Sequence, residues 1–280
     1  LALFDFNQVK VVISTGEEQL DKEWLERAHE AGCIVLDIGA QLLEVSDLPP
    51  VVASVNAEVL EMVAHGGIVA LPDAATTQLI TVLKPLVDSL DIERVSVVSC
   101  HAVSDMGRSG VEEMARQTAQ LLNGKPVTPL LFPKQIAFNL YPQVGEINSN
   151  GLTTTEQRII DHTRRILADE NIGISLTCSW VPVFFGHSQA ITVQTADSIK
   201  LDQVHEIFSA FPGINLMATS GSSPTAVTDA SGKDNLTLGR IGSGSESMTE
   251  FSFWTVADNI RFGLAGNTVK VLEVLVKNFL

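Results

Sequence analysis

The sequence has little positive charge and no cluster of it. Its 18 Lys and Arg residues face 33 Asp and Glu residues, and the formal net charge is −15. Such acidity disfavours binding to phosphate backbones and anionic lipids, so we expect neither nucleic acid nor a membrane as a partner. Its apolar runs are only a few residues long, whereas a membrane span needs roughly 20. No signal-peptide pattern opens the chain.

Cysteine is also scarce. The chain contains only Cys33, Cys100 and Cys178, which are widely spaced and form no CxxC pair. This pattern indicates neither a disulfide framework nor a zinc site. We therefore predict no metal and a cytoplasmic location, because unpaired thiols are typical of reducing compartments.

The 280 residues are 45% hydrophobic, enough for one large or two modest domains. Over the first part of the chain, strand-like and helix-like segments alternate, which predicts a parallel sheet with crossover connections. The predicted elements are strand Val9–Ser14, helix Glu18–Ala31, strand Cys33–Ile38, helix Ala57–Ala64 and strand Ile68–Leu71.

The pattern changes after this region. Two long β runs, "ISLTCSWVPVFF" and "SQAITVQTA", and later strands near "NLTLGRIG" and "EFSFWTV" predict an α+β layer with a mostly antiparallel sheet. The last segment, Asp258–Phe279, carries an amphipathic stripe that needs a partner surface, most simply the first domain. The predicted elements before and between the β runs are helix Thr76–Leu90, strand Arg94–Val103, helix Val111–Leu122, helix Thr154–Ala168 and helix Leu201–Phe208.

The segment "GIVALPDAATTQLITVLKPLVDSL" predicts a sharp turn from a buried strand into a helix. The free N–H groups at a helix N-terminus would stabilise a thiolate or an oxyanion there. The residues at this turn, however, are Asp73, Ala74 and Ala75. The sequence predicts a platform for a nucleophile without the nucleophile.

Individual residues leave the chemistry open. His187 follows Gly186 between two apolar strands, where it is either a general base or a hydrogen-bonded core histidine. Cys100 and His101 are neighbours in a strand, so their side chains point to opposite faces and cannot pair. Cys178 is most simply a small buried residue. By default, Arg158 lies on the solvated face of a helix.

Several separated motifs, taken together, indicate the function more specifically than these individual residues do. The segments "IAFNLYPQ", "VPVFFGHS", "FWTVADNIRFG" and "TTQLITVLKPL", in this order of elements, resemble the aspartate-semialdehyde dehydrogenase family over essentially the whole chain. The likeness is greatest to the divergent Usg-type branch. The resemblance implies homodimers and a phosphate-dependent oxidation of an aldehyde to an acyl phosphate with NADP.

The same resemblance implies the architecture. We expect an α/β Rossmann-like dinucleotide domain over residues 1–73 with a C-terminal helix over 257–280. An α+β catalytic and dimerisation domain with a mixed or antiparallel sheet would span 74–256. The family's glycine-rich phosphate loop precedes the point where this chain begins, and the chain has no GxxGxxG motif. The first βα unit is therefore expected to be missing.

In the family, a cysteine thiolate attacks the aldehyde, a histidine acts as acid and base, and a glutamine orients the intermediate. Position by position, the nucleophile falls on Ala74, the glutamine on His101 and the carboxylate-binding arginine on Trp180, while His187 is retained. No arginine follows "IVLDI", where Ala40, Gln41 and Leu42 stand in place of the phosphate-binding site. An engineered Cys→Ala change would alter Ala74 alone, so the coordinated losses favour natural divergence.

The resemblance also implies residues around the pocket and cofactor. Substrate-pocket positions are Trp180, Asn139, Glu156 and Arg158. Cofactor-binding positions are Ser14, Gly16, Ser104, Gly107 and Asn259, of which the "SDMGRSG" loop supplies Ser104 and Gly107.

Three hypotheses follow for the function. The first is a homodimer without semialdehyde dehydrogenase activity, which binds an unknown small molecule and still holds NADP if a preceding segment supplies the loop. The second is an oxidoreductase on another substrate, with His187 as acid and base and no covalent step. The third is an active dehydrogenase that uses Cys100 or Cys178 as its nucleophile.

Overall fold

The computed structural model describes residues 4–15, 22–38, 48–64, 66–218, 223–244 and 249–280. Within them the chain forms two sheets with helices packed against them. No helix in these ranges is long and apolar enough to cross a membrane. In chain order the elements are β1 (Val11–Ser14), α1 (Lys22–Glu30), β2 (Ile34–Ile38), β3 (Gly67–Leu71), α2 (Ala74–Val87), β4 (Ile92–His101), α3 (Gly107–Leu122), α4 (Thr154–Leu167), β5 (Gly173–Trp180), β6 (His187–Thr195), α5 (Leu201–Ala210), β7 (Ile214–Leu216), β8 (Leu236–Gly242), β9 (Glu250–Ala257) and α6 (Asn267–Asn278).

The first sheet is parallel, in the order β1-β2-β3, as the alternation of strands and helices predicted. Successive residues of β2 alternate between its two faces. Ile34 and Leu36 pack in one cluster with Val271 and Leu275 of α6, whereas Val35 lies in the cluster on the other face. The C-terminal helix thus covers the first sheet.

The second sheet has six strands in the order β5-β4-β6-β9-β8-β7. The pairs β4–β5 and β7–β8 are parallel and the other three pairs are antiparallel, so the sheet is mixed. Helices α2, α4 and α5 bury their apolar residues against one face, for example Leu83, Ile159 and Phe208. The opposite face is covered at one end by the segment around Ala226 and is open elsewhere, where Val98 is 47% exposed.

Several predicted boundaries need correction. Helix α2 begins at Ala74 instead of Thr76, because the Asp73 side chain accepts a hydrogen bond from the N–H of Thr76 and caps the helix. The C-terminal segment predicted as one helix from residue 257 is a π-helix, Asn259–Gly266, followed by α6. Residues 18–21 of the predicted first helix lie outside the described residues.

Helix α4 is tied to strand β5 by one buried carboxylate. Glu156 completes a capping box in which its Oε2 accepts the N–H of Thr153 at 2.7 Å. Its Oε1 accepts the N–H of Cys178 in β5 at 2.8 Å. One side chain therefore satisfies two buried backbone donors in two elements.

Glu156→Ala is expected to lower the free energy of unfolding by about 2 to 4 kcal/mol, because it leaves both N–H groups buried without an acceptor. Urea unfolding followed by circular dichroism measures the change. Glu146→Ala, an exposed site in the preceding loop, should stay within about 0.5 kcal/mol. Equal effects of the two substitutions would contradict the assignment.

Candidate functional site

The candidate site lies where the ends of several elements meet. Strands β4 and β5 are parallel, and their last residues, His101 and Trp180, are register partners. Strand β6 begins beside them at His187, which pairs with Ala257 at the end of β9. Helix α2 reaches this region through Gln189 of β6, whose Nε2 donates to the carbonyl of Ala75 at 2.9 Å.

The start of α2 holds a methyl group. Ala74 is 2% exposed at the first position of a 14-residue helix. Gly263 of the C-terminal segment packs directly on it, since a Cβ at position 263 would lie 2.5 Å from the Ala74 Cβ. The platform inferred from the sequence is present in the fold, and its first position carries no reactive group.

Asp105 lies between two buried histidines. Its Oδ2 is 3.2 Å from His101 Nδ1, and its Oδ1 is 3.5 Å from His187 Nε2. The two imidazole rings are 4.6 Å apart between centroids. The histidines are 1% and 0% exposed, while the Asp105 side chain is 25% exposed. We call these three residues the His–Asp–His clamp.

The surrounding partners fix where the protons lie. The N–H of Ala102 donates to His187 Nδ1 at 3.1 Å, so the proton of the neutral ring is on Nε2 and faces Asp105. On the other side, Gln189 Nε2 donates to Ser99 Oγ at 3.4 Å, and Ser99 Oγ lies 3.1 Å from His101 Nε2. Ser99 can then give its own hydrogen to His101, whose Nδ1–H donates to Asp105.

The pKa shifts of His187 and Asp105 agree with this assignment of protons. Burial lowers the pKa of His187, and the nearby Asp105 carboxylate only partly opposes that effect. Burial would raise the pKa of Asp105, but the two histidines outweigh it and hold that pKa well below its ordinary value. At neutral pH we therefore assign the negative charge to Asp105 and a neutral ring to His187.

The clamp has the composition of a metal site, because one ligand atom from each residue lies within 4.8 Å of the others. A histidine ligand, however, must present a lone pair to the metal. The N–H of Ala102 occupies the lone pair of His187 Nδ1, so Nε2 keeps its hydrogen. In this state His187 offers no lone pair to a cation, and the hydrogen bond within the cluster joins His101 and Asp105.

The position expected to hold a substrate carboxylate is filled by an aromatic cluster. Trp180 is 5% exposed, and its ring packs edge-on against Phe132 at 5.3 Å and His101 at 5.9 Å between centroids. Its backbone pairs with Tyr141 through two hydrogen bonds. An indole in this environment offers no charge to bind a carboxylate.

The other predicted pocket residues fall in different places. Asn139 is exposed, and its described hydrogen bonds are made within its own turn, to Gln135 and Leu140. None of these hydrogen bonds joins it to the clamp, and its place in a substrate pocket stays a prediction. Glu156 is buried, but backbone N–H groups use both its oxygens.

Arg158 reaches the start of α2 instead of facing only solvent. Its Nε lies 3.0 Å from Asp73 Oδ2. Burial opposes ionisation of Asp73, but the charge of Arg158 and the N–H of Thr76 prevail and lower its pKa. The helix N-terminus therefore already has a carboxylate beside it.

The predicted cofactor residues include one connected pair. Asn259 Oδ1 accepts from Ser104 Oγ at 3.1 Å and from the N–H of Gly186 at 2.9 Å, while its buried Nδ2 has no partner among the described residues. Gly107 begins α3 with φ +64°. Ser14, at the end of β1, is buried, and its hydroxyl is likewise unpaired. Gly16 and residues 40–42 lie outside the described residues.

None of the three thiols is prepared for nucleophilic attack. Burial raises the pKa of Cys178, and the negative charges of Glu156 and Asp73 raise it further. Burial also raises the pKa of Cys100, whose side chain lies on the face of β4 opposite to His101. Cys33 lies in the core of the first sheet, where its Sγ contacts backbone carbonyls.

Residues 83–262 match the family described as "Semialdehyde dehydrogenase, dimerisation domain". The chain belongs to the aspartate-semialdehyde dehydrogenase family. It is 37% identical to aspartate-semialdehyde dehydrogenase 2 of Vibrio cholerae and 39% identical to a USG-1 protein homolog of Pseudomonas aeruginosa, covering 99% of this chain and 82% of each relative. The resemblance predicted from the motifs is confirmed.

Solved structures agree. The aspartate semialdehyde dehydrogenase II of Vibrio cholerae, complexed with ASA, superposes with a TM-score of 0.95 at 36% identity, covering all of this chain and 83% of that one. The enzyme of Candida albicans with NADP has a TM-score of 0.75 at 20% identity, covering 97% and 78%, and shows the fold alone. The matched dimerisation family supports a homodimer for this chain.

Sequence reasoning missed Asp105 as a functional residue and missed the buried His162 of α4. Burial lowers the pKa of His162 to about 4, below the ordinary 6.5, and its Nδ1 has no partner among the described residues. The signal for Asp105 was its position four residues after His101. That spacing indicates a site only when the structure shows that β6 places His187 on the other side of Asp105.

The pKa of His162 predicts a loss of stability in mild acid. Because the folded pKa is lower than the unfolded one, the unfolded chain binds more protons between pH 6.5 and about 4. Stability should fall as pH falls through this window, by about 3 kcal/mol in total from this group. Urea unfolding at several pH values measures the slope, and His162→Gln should flatten it. An unchanged slope in that variant would disprove the contribution.

Proposed function

We propose that this chain is a homodimeric member of the aspartate-semialdehyde dehydrogenase family that does not catalyse the family's thiol-dependent reaction and acts by binding a small molecule. Residues 1–73 with the C-terminal segment would form the dinucleotide-binding unit, and residues 74–256 the dimerisation and former catalytic unit. The predicted cytoplasmic location stays a prediction.

Ala74 is the observation that carries this proposal. A methyl group cannot form the thioester on which the family's reaction depends. Cys178 and Cys100, the substitutes considered from the sequence, have thiols with raised pKa values. Since the thiolate is the reactive form, both are poor replacements.

The state of His187 also argues against an active site without a covalent step. A general base needs a free lone pair. In His187 the N–H of Ala102 occupies the lone pair on Nδ1, and Nε2 faces Asp105 with its hydrogen. In this state the ring offers no free lone pair, and its Nε2 has no hydrogen-bond partner among the described residues, which disfavours the oxidoreductase hypothesis.

The chain should show no NADP reduction with aspartate semialdehyde and phosphate above background, because losing a covalent nucleophile can reduce kcat on the order of 10⁶-fold. A stopped absorbance assay at high protein concentration measures this, with the Vibrio cholerae relative as positive control. Turnover that His187→Ala abolishes would overturn the proposal.

Restoring the thiol alone should fail as well. In Ala74→Cys the sulfur would stand beside Asp73 and near the clamp, while His101 and Trp180 still replace the expected glutamine and arginine. The rate should remain at background in the same assay. The combined variant Ala74→Cys, His101→Gln, Trp180→Arg is the informative comparison. Full activity of Ala74→Cys alone would show that the other replacements do not matter.

Asn259 and its hydrogen-bond partners fit part of a cofactor site. The Asn259 amide is fixed through its oxygen by Ser104 and Gly186, and its buried N–H₂ group has no partner among the described residues. An unpaired buried donor of this kind suits an acceptor on a ligand, such as a carboxamide oxygen of a nicotinamide. When bound, NADP would supply hydride-transfer chemistry, and this chain's contribution would be to orient its ring.

If NADPH binds, Asn259→Leu should weaken binding about tenfold or more, because it removes the donor and leaves the Gly186 N–H buried without an acceptor. Fluorescence of bound NADPH or calorimetry measures the Kd. Asn123→Leu, at the exposed end of α3, is the matched control. Absence of NADPH binding to the unmodified chain would refute the cofactor part of the proposal and leave the ligand to be found by screening.

A further inference from the structure

A cavity of about 460 Å³ lies beside α6, and the His–Asp–His clamp takes no part in its lining. Val274 of α6 and Thr81 of α2 lie on its walls, together with the Pro212–Gly213 turn between α5 and β7. Phe262, from the π-helix before α6, also lines it. Small-molecule sites in proteins usually measure roughly 300 to 1,000 Å³, so this cavity has the size of a ligand site. We call it the α6 cavity.

The backbone around the α6 cavity is held in place by the buried amide of Asn267, the first residue of α6. Its Oδ1 accepts the N–H of Ala53, a lining residue, at 2.9 Å, and its Nδ2 donates to the carbonyl of Val51 at 2.9 Å. The amide of Asn56 bridges two further backbone groups of the same loop. The loop and α6 therefore form one preformed wall, and a ligand would lose little affinity to ordering it.

Two lysines of α6, Lys270 and Lys277, line the α6 cavity. They are seven residues apart, so they lie on the same side of the helix about two turns apart. The Nζ of Lys270 is 5.8 Å from the centroid of the Phe262 ring. Among the described residues, neither ammonium group has a carboxylate partner, although Glu273 stands between the two lysines in the chain. The cavity therefore offers two unneutralised ammonium groups in a chain of net charge −15.

Much of the remaining lining is apolar. Phe262 is 6% exposed, and Val274, Pro212 and Ala53 contribute further apolar surface. On the α2 side, the hydroxyl of Thr81 already donates to a carbonyl of its own helix at 2.7 Å. An apolar lining with a small number of charged groups is typical of sites that bind small molecules.

We propose that the α6 cavity binds a small amphipathic anion, a carboxylate or sulfonate carried on an apolar body of one or two rings. The anionic group contacts the ammonium groups of Lys270 and Lys277, and the apolar body packs against Phe262, Val274 and Pro212. This site is separate from the one described above, and its ligand does not depend on the function proposed there.

Glu273 limits the charge that the site accepts. Two lysines and one glutamate leave the lining with a single net positive charge. Such a lining matches a ligand with one anionic group, whereas a phosphate dianion or a nucleotide would bring excess negative charge next to Glu273.

Anilinonaphthalene sulfonate is a suitable probe, because it carries one sulfonate on an aromatic body and its fluorescence increases in apolar surroundings. We expect it to bind the unmodified chain with a Kd that rises with NaCl concentration, since salt screens exposed ammonium groups. The double variant Lys270→Met, Lys277→Met should raise the Kd tenfold or more. Its circular dichroism and thermal midpoint should stay unchanged, because both side chains are exposed. Lys125→Met, in the exposed turn after α3, is the matched control and should leave the Kd unchanged.

Two further measurements separate the charge of the ligand from its shape. Phenylnaphthylamine has the same rings without the sulfonate, so the double lysine variant should not weaken its binding. Ser54→Phe places a ring in the cavity from an exposed position of the loop and should block both dyes. In competition, phenylpropionate should displace the sulfonate dye, whereas inorganic phosphate should not, because phosphate has no apolar body.

Three results would contradict the proposal. A sulfonate-dye Kd that neither the double lysine variant nor Ser54→Phe changes would overturn the α6 cavity as the site. Dye binding that Ser54→Phe blocks but the double lysine variant leaves unchanged would overturn the anionic class of ligand. Displacement of the dye by NADPH would place it in the candidate cofactor site instead. Absence of dehydrogenase activity or of NADPH binding leaves all these readouts unaffected.

Discussion

The candidate site depends on one carboxylate held between two imidazoles. Asp105 keeps its charge because His101 hydrogen-bonds to it and the Nε2 of His187 lies 3.5 Å from it, and each ring is held by a second partner on its far side. Moving the proton of His187 from Nε2 to Nδ1 would bring it against the N–H of Ala102 and would leave a lone pair on Nε2 facing the Asp105 carboxylate. Both contacts are unfavourable in a buried setting. The hydrogen bonds to Ser99, Asp105 and Ala102 therefore fix the orientation of both histidine rings.

The charge of the clamp also changes what the start of α2 can support. A helix N-terminus favours one nearby anion, and Asp73 already supplies it, paired with Arg158. With Asp105 and the buried Glu156 in the same neighbourhood, a thiolate would be a further negative charge, as the raised pKa of Cys178 illustrates. The methyl group of Ala74 at the start of α2 is thus consistent with the carboxylates around it.

Local pattern predicted most of the elements, because alternation and helical spacing report burial directly. It did not predict the parallel pairing of β4 with β5, which joins strands that are distant in the chain. The motif likeness located Ala74, His101 and His187 but gave no role to Asp105, since a carboxylate after a strand acquires meaning only from a partner on β6. The resemblance placed Glu156 in a substrate pocket. In the structure its side chain instead points inward, because it completes the capping box of α4.

Strand β6 connects the site with the face of the second sheet opposite to the helices. Because side chains alternate along a strand, His187 and Gln189 point into the site while Ser188 between them lines a cavity beside Arg240. The backbone of β6, paired with β4 and β9, therefore holds these two residues and the cavity-lining Ser188 in one register.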